Sequence, residues 1–207
     1  MRGYLHQALE SGPALVLTHG AGGNCDAPLL VMLAEELANS EITVLRCDLP
    51  FRQLRPRGGP SPGSAERDQQ GLHRAVTLLK QRGAERCFLG GPSYGGRQAS
   101  MLAASQPKMA DGLLLLSYPL HPPGKPAQLR TAHFPKLTTH ALFVHGTKDP
   151  FGTIAELEAA IALVPAPTRL LAIEGAGHGL LPKKDPDALV QRIAAEFRAF
   201  LLAWSHI

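Results

Sequence analysis

Residues 86–97 read Arg86-Cys87-Phe88-Leu89-Gly90-Gly91-Pro92-Ser93-Tyr94-Gly95-Gly96-Arg97, and this stretch decides the fold. Arg86 to Gly90 is a short apolar run of the kind that forms a central strand. Gly95 to Gln106 has the pattern of the helix after it. Between them, Gly91-Pro92-Ser93-Tyr94-Gly95 matches G-x-S-x-G, a motif that needs a strand before it and a helix behind it. So sharp a turn forces its serine into a sparsely allowed backbone conformation, a strain of about 1–3 kcal/mol that the packing around it must hold. Gly91 and Gly95 leave room where strand and helix pass closely, and Gly96 adds more. Pro92 lacks an N–H but is tolerable at a strand end, and it biases Gly91 towards an extended conformation. Taken alone, the motif also fits a glycine-rich turn whose serine caps a helix. A phosphate loop fits less well, because no Gly-Lys-Ser/Thr follows the glycines.

Outward from this turn, short apolar runs alternate with longer helical patterns, the sign of a mostly parallel α/β sheet. Strands are expected at Ala14 to Thr18, Ile42 to Cys47, Gly112 to Ser117, Ala141 to His145 and Thr168 to Ile173. Helices are expected at Ala27 to Asn39, Ala65 to Arg82, Thr153 to Val164 and Pro186 to about Trp204. Two Pro-rich connections, Leu49 to about Ser64 and Tyr118 to Leu137, read as irregular. No repeat or linker divides the chain, so residues 1–207 are expected to form one domain. In such open sheets ligands bind beyond the carboxyl ends of the strands.

A serine hydroxyl is a weak nucleophile until a base takes its proton. The base is expected to be a histidine on a later loop, oriented by a carboxylate lying between the two in the chain. Asp149 follows the strand Ala141 to His145, in Gly146-Thr147-Lys148-Asp149-Pro150. His178 follows the last strand, in Gly175-Ala176-Gly177-His178-Gly179. Ser93, Asp149 and His178 thus come in the order typical of one hydrolase architecture. Asp149 as a turn former or helix cap, and His178 as a surface histidine, are the plainer readings. Asp185 and Asp187 fit less well, since they come after the histidine and open a helix. His19, His121, His140 and His145 read as structural or pocket-lining.

Acyl transfer puts negative charge on a carbonyl oxygen, which two backbone N–H groups should await. One is expected from Tyr94, directly after the serine. The other is expected from His19-Gly20-Ala21-Gly22-Gly23-Asn24, with Ala21 as donor and Gly22 as the fallback. Gly22, Asn24, Tyr118 and Phe151 are the candidate substrate-binding residues. Phosphate binding by this loop is the alternative, although the full dinucleotide fingerprint is missing.

Composition excludes several classes. Hydrophobic residues make up 44% of the 207 and charged residues 18%, a globular balance. No stretch approaches the roughly 20 apolar residues of a membrane span, and the N-terminal residues lack the apolar core of a signal peptide. Three cysteines, Cys25, Cys47 and Cys87, form neither a disulfide framework nor a zinc pattern, which points to the cytoplasm and to no metal. The net charge of +4 is spread along the chain without a nucleic-acid-binding signature. Arg52, Arg55 and Arg57 read as solvated loop charges, with selection of an anionic substrate as the alternative.

The stretches 19–23, 90–97, 146–149 and 177–179 together resemble those of a small α/β-hydrolase over nearly the whole chain. Tyr118-Pro119-Leu120-His121-Pro122-Pro123-Gly124 and Asp149-Pro150-Phe151-Gly152 resemble one branch of that superfamily. It holds bacterial hydrolase-like proteins, and its hydrolase-like domain also occurs in a testis-expressed protein and a chromatin-complex subunit. The resemblance implies an α/β-hydrolase fold: a mostly parallel central sheet of six to eight strands flanked by helices. It also implies a Ser-His-Asp triad and esterase-type chemistry on a small-molecule acyl ester, with no metal or cofactor. No segment is long enough for a helical cap domain, so an open site is expected. A binding or scaffold protein on the same fold is the rival reading.

Overall fold

The computed structural model describes residues 2–9 and 12–203. Seven strands form one sheet in the order β1-β3-β2-β4-β5-β6-β7. They are β1 (Gly3–His6), β2 (Ala14–Thr18), β3 (Thr43–Cys47), β4 (Cys87–Pro92), β5 (Gly112–Leu116), β6 (Ala141–Gly146) and β7 (Thr168–Ile173). All pair in parallel except β1, which runs antiparallel to β3 at the edge. This is an α/β-hydrolase sheet, within the expected six to eight strands. Among the described residues no helical cap interrupts it, and no helix is long and apolar enough to cross a membrane.

Helices cover both faces, so the strands' continuous apolar runs still divide by alternation. Leu15, Leu17, Phe88, Leu114, Leu116, Leu142 and Val144 face α1 (Pro28–Ala38) and α6 (Pro186–Ala203). Val16, Leu89, Leu113, Leu115 and Phe143 face the other layer. That layer holds α2 (Pro50–Leu54), α3 (Ser64–Gln81), α4 (Tyr94–Ser105) and α5 (Ile154–Ile161). Thr153 caps α5 and Glu156 returns the bond, a reciprocal box of about 1 kcal/mol.

Three elements were absent from the expectation, the shortest a 3-10 turn at Phe134–Lys136 in the second Pro-rich connection. β1 has an exposed, polar-interrupted sequence and exists through its pairing with β3, where the Arg46 guanidinium lies over the Tyr4 ring. α2 falls in a stretch expected to be irregular. Proline is compatible with a first helical turn because that N–H has no intrahelical partner anyway, and Pro50 stands there. The closing helix was expected to reach Trp204, which lies outside the described residues.

The chain leaves β2 for β3 on one side and returns to β4 on the other. The loops after β2 and β4 therefore face each other at the point where the winding reverses, the place where such sheets bind ligands.

Candidate active site

Ser93 stands between β4 and α4 with φ 52° and ψ −119°, the strained turn conformation. Its N–H donates to the Leu116 carbonyl, 2.8 Å away at the end of β5. The glycines are required by β2 rather than by α4. A Cβ on Gly95 would lie 2.6 Å from the His19 carbonyl oxygen, and one on Gly91 would meet the Thr18 carbonyl. Gly91 has φ 149°, open to a residue without a Cβ, instead of the extended conformation expected before proline.

Three loops converge on the serine. His178 Nε2 lies 2.9 Å from Ser93 Oγ, and His178 Nδ1 lies 2.8 Å and 3.0 Å from the two Asp149 carboxylate oxygens. The Asp149 side chain is fully buried, whereas that of His178 is 26% exposed. A buried carboxylate needs donors. Besides the imidazole, the Phe151 N–H donates to it at 2.9 Å. With the carboxylate on Nδ1, the ring proton resides there and Nε2 is free to accept from the serine. This arrangement can remove a proton from Ser93 and stabilise the imidazolium that results. Asp149 does not cap α5, a role Thr153 fills.

The loop after β2 closes the site from the opposite side. Gly23 N–H donates to the Gly20 carbonyl at 3.1 Å, and His19 Nδ1 lies 2.8 Å from the same oxygen. His19 Nε2 accepts the Leu49 N–H at 3.1 Å, which leaves the ring proton on Nδ1 to donate to Gly20. Burial lowers the His19 pKa, in keeping with a neutral ring. Because the peptide plane is rigid and trans, holding the Gly20 carbonyl fixes the Ala21 N–H on the other side. The Tyr94 N–H belongs to the first helical turn, whose donors have no partner within the helix. Neither N–H enters the loop's own backbone bonds.

The other candidates separate. Phe151 lies against His178, with ring centroids 4.1 Å apart. Gly22 is exposed beside Ala21. The Asn24 side chain accepts the Asp26 N–H at 2.9 Å and so shapes its own turn. Tyr118 does not line the site. It is 1% exposed, packs against Phe134 and Phe143, and donates its hydroxyl to the Arg130 carbonyl at 2.7 Å. Its ring joins a buried aromatic cluster while the bond to Arg130 satisfies its one polar atom. Cys25 is buried, and burial first, then Asp48, pushes its thiol up to about 11. His145 is buried and bonds the Gly152 carbonyl. Asp185 accepts from Ala188 N–H, and Asp187 lies in the first turn of α6.

Arg55 and Arg57 are exposed, but Arg52 is not a solvated charge. It is 5% exposed and binds backbone carbonyls of the loop after β2. Asp68 was also missed. It is buried, and it accepts the Phe51 N–H at 3.0 Å and the Tyr94 hydroxyl at 2.7 Å. Both residues sit in or against a helix the proline content concealed. Among the described residues no group of three or more His, Cys, Asp or Glu is placed to hold a metal ion.

The family model described as "Alpha/beta hydrolase domain" matches residues 11–205. Among solved structures, the chain is similar to Est1E from Butyrivibrio proteoclasticus with ferulic acid bound, with TM-score 0.77 and 17% identity, over 98% of this chain and 95% of that one. It is similar to a dienelactone hydrolase from Anabaena variabilis, with TM-score 0.76 and 22% identity, over 95% and 90% of the two chains. An alpha-beta serine hydrolase homologue from Coxiella burnetii matches with TM-score 0.74 and 16% identity, over 94% and 90%.

Proposed function

The chain belongs to the alpha/beta hydrolase domain family, and on that premise we propose that it is a serine hydrolase cleaving an ester or related acyl bond. The observation that carries this reading is the hydrogen-bonded chain Ser93–His178–Asp149, with contacts of 2.9 Å and 2.8 Å. Ser93 attacks the acyl carbon while His178 takes its proton. The tetrahedral oxyanion is received by the backbone N–H groups of Ala21 and Tyr94, with Gly22 as the fallback for Ala21. His178 then protonates the leaving alcohol, and water attacks the acyl-enzyme with His178 again as base. Asp149 orients the ring and stabilises its charged form. Every step of this reading is carried by side chains and backbone groups of the chain itself and calls for no metal or cofactor.

The partner in this reading is a small-molecule acyl ester that enters an open site, with Phe151 and Gly22 at its border. One similar structure is named a dienelactone hydrolase and another holds a carboxylic acid, which agrees with acyl chemistry. Three free, buried cysteines support action in a reducing cytoplasm. The loop sequences after β5 and β6 support membership of the branch shared with the testis-expressed and chromatin-complex proteins.

A fluorophosphonate probe tests the reading. Ser93 of the intact protein is expected to label covalently, and Ser93→Ala to abolish both labelling and ester turnover. An unlabelled wild-type Ser93, with no turnover across esters and thioesters of graded acyl length, would mean a binding protein on a hydrolase fold.

A further inference from the structure

Arg52 is a buried cation held by backbone carbonyls and by no ion pair. Its guanidinium ends on four backbone carbonyls. Nε donates to Gly23 at 2.7 Å, one terminal nitrogen to Ala21 and Gly58 at 2.9 Å each, and the other to Arg55 at 3.1 Å. Among the described residues no carboxylate forms an ion pair with it. The adjacent buried Asp48 instead accepts the Cys25 N–H and lies near Arg2 and His19. Burying a guanidinium without a direct ion pair is costly, so its placement calls for a role beyond filling space.

Two of the four carbonyls belong to the loop after β2. Since each peptide is planar and trans, holding the Ala21 carbonyl orients the Gly22 N–H away from Arg52, and holding Gly23 does the same for Asn24. The Gly20 carbonyl is held separately, by His19 and Gly23. The neighbouring Phe51 ties the opposite wall to the same helix. Its N–H and the Tyr94 hydroxyl share the Asp68 carboxylate, and the Phe51 and Tyr94 rings meet edge to face at 5.6 Å. The five-residue α2 thus brackets both sides of the oxyanion site through adjacent residues.

We propose that Arg52 is a positioning residue of the oxyanion hole: it sets the peptide planes of residues 21–24 and places a positive charge behind them. The inference rests on the hydrolase reading above. A planar fork fits four fixed carbonyls better than an ammonium can. Its charge favours the developing oxyanion more than the neutral substrate, which makes the effect one on the transition state.

The test compares wild type with Arg52→Met and Arg52→Lys in the full chain. In Arg52→Met, the Gly23 amide, which donates to the Gly20 carbonyl, is expected to exchange hydrogen about tenfold faster while the amides of β4 and β5 stay protected. With an ester that the wild type hydrolyses, kcat is expected to fall about a hundredfold at nearly constant KM. Affinity for an alkyl boronic acid, which forms a tetrahedral adduct on serine, should fall in step with kcat. Arg52→Lys should lie between the two, and it carries the test if the methionine variant does not fold. Unchanged exchange at Gly23 overturns the proposal whatever the activity. So does faster exchange with unchanged kcat and boronate affinity. If fluorophosphonate fails to label wild-type Ser93, the hydrolase reading falls, and the exchange comparison alone decides whether Arg52 holds the loop.

Discussion

The Phe151 ring stacks on the His178 imidazole, with centroids 4.1 Å apart and planes 28° from parallel. Phe151 also donates its N–H to Asp149, so one residue touches both His178 and Asp149, the base and its orienting group in the proposed mechanism. Its backbone fixes the carboxylate, and its side chain limits the rotation of a histidine that sits in a glycine-rich loop.

Removing this ring should therefore slow the reaction rather than weaken binding. Phe151→Ala is expected to lower kcat about tenfold, the scale of a small misplacement of a catalytic group, while Phe151→Tyr keeps most of it. Steady-state kinetics separate the effects. A rise in KM at constant kcat would make Phe151 a substrate contact and not a support for His178.

Asp149→Asn changes the tautomer without changing the shape. The amide can still accept the Phe151 N–H, yet it can turn an N–H towards His178 Nδ1 where an acceptor is needed. The ring proton then moves to Nε2, facing Ser93. Turnover should drop about 10⁴-fold, with fluorophosphonate labelling slowed in parallel and the circular dichroism spectrum unchanged. Labelling at the wild-type rate would remove Asp149 from the mechanism.

Gly95→Ala pits local propensity against packing. In an open helix the change would gain about 1 kcal/mol. Here the new Cβ lies 2.6 Å from the His19 carbonyl and 2.8 Å from Thr18 Cγ2, so β2 or the turn must shift. Net destabilisation of about 1–3 kcal/mol is expected, together with loss of activity. Gly59→Ala, whose Cβ would meet nothing within 4 Å, is the control. Equal urea midpoints for the two variants would contradict the account.

His133 links stability to pH. Burial, and secondarily the Arg97 charge, lowers its pKa from the ordinary 6.5 to about 4. Between these values the unfolded chain binds more protons than the folded one, so stability rises with pH. His133 therefore contributes stability above about pH 6.5 that is lost as pH falls towards 4. The melting temperature of the wild type should drop more from pH 7 to pH 5 than that of His133→Gln, whose amide can still bond Ser100, as His133 does at 2.8 Å. Parallel melting curves across this range would refute the assignment.

Much of this was open to reading without coordinates. β2, β4, β5 and β6 are short apolar runs whose burial follows from their composition, β7 is a half-buried one, and Ser93, Asp149 and His178 each follow a strand that such a run announces. β1 was not readable, because an edge strand with exposed side chains carries no hydrophobic signature and depends on its neighbour. α2 was hidden by Pro50, since proline marks a helix start and an irregular segment equally well. Tyr118 was misplaced for a related reason. An aromatic residue after a strand can turn to the site or to the core, and the choice depends on Phe134 and Phe143, which come later in the chain.

Local pattern was enough to determine a mostly parallel α/β sheet, the order of strand-end residues nominated the serine, the histidine and the carboxylate, and the resemblance implied the α/β-hydrolase architecture. Only the tertiary structure decided that His178 meets both Ser93 and Asp149 within hydrogen-bond distance and that Phe151 braces the ring. It alone turned Arg52 from a loop charge into a buried fork on Ala21 and Gly23. The physical reason is range. Strand and turn preferences act over a few residues, whereas a side chain's partners are set by segments that are far apart in sequence and meet only when the sheet closes.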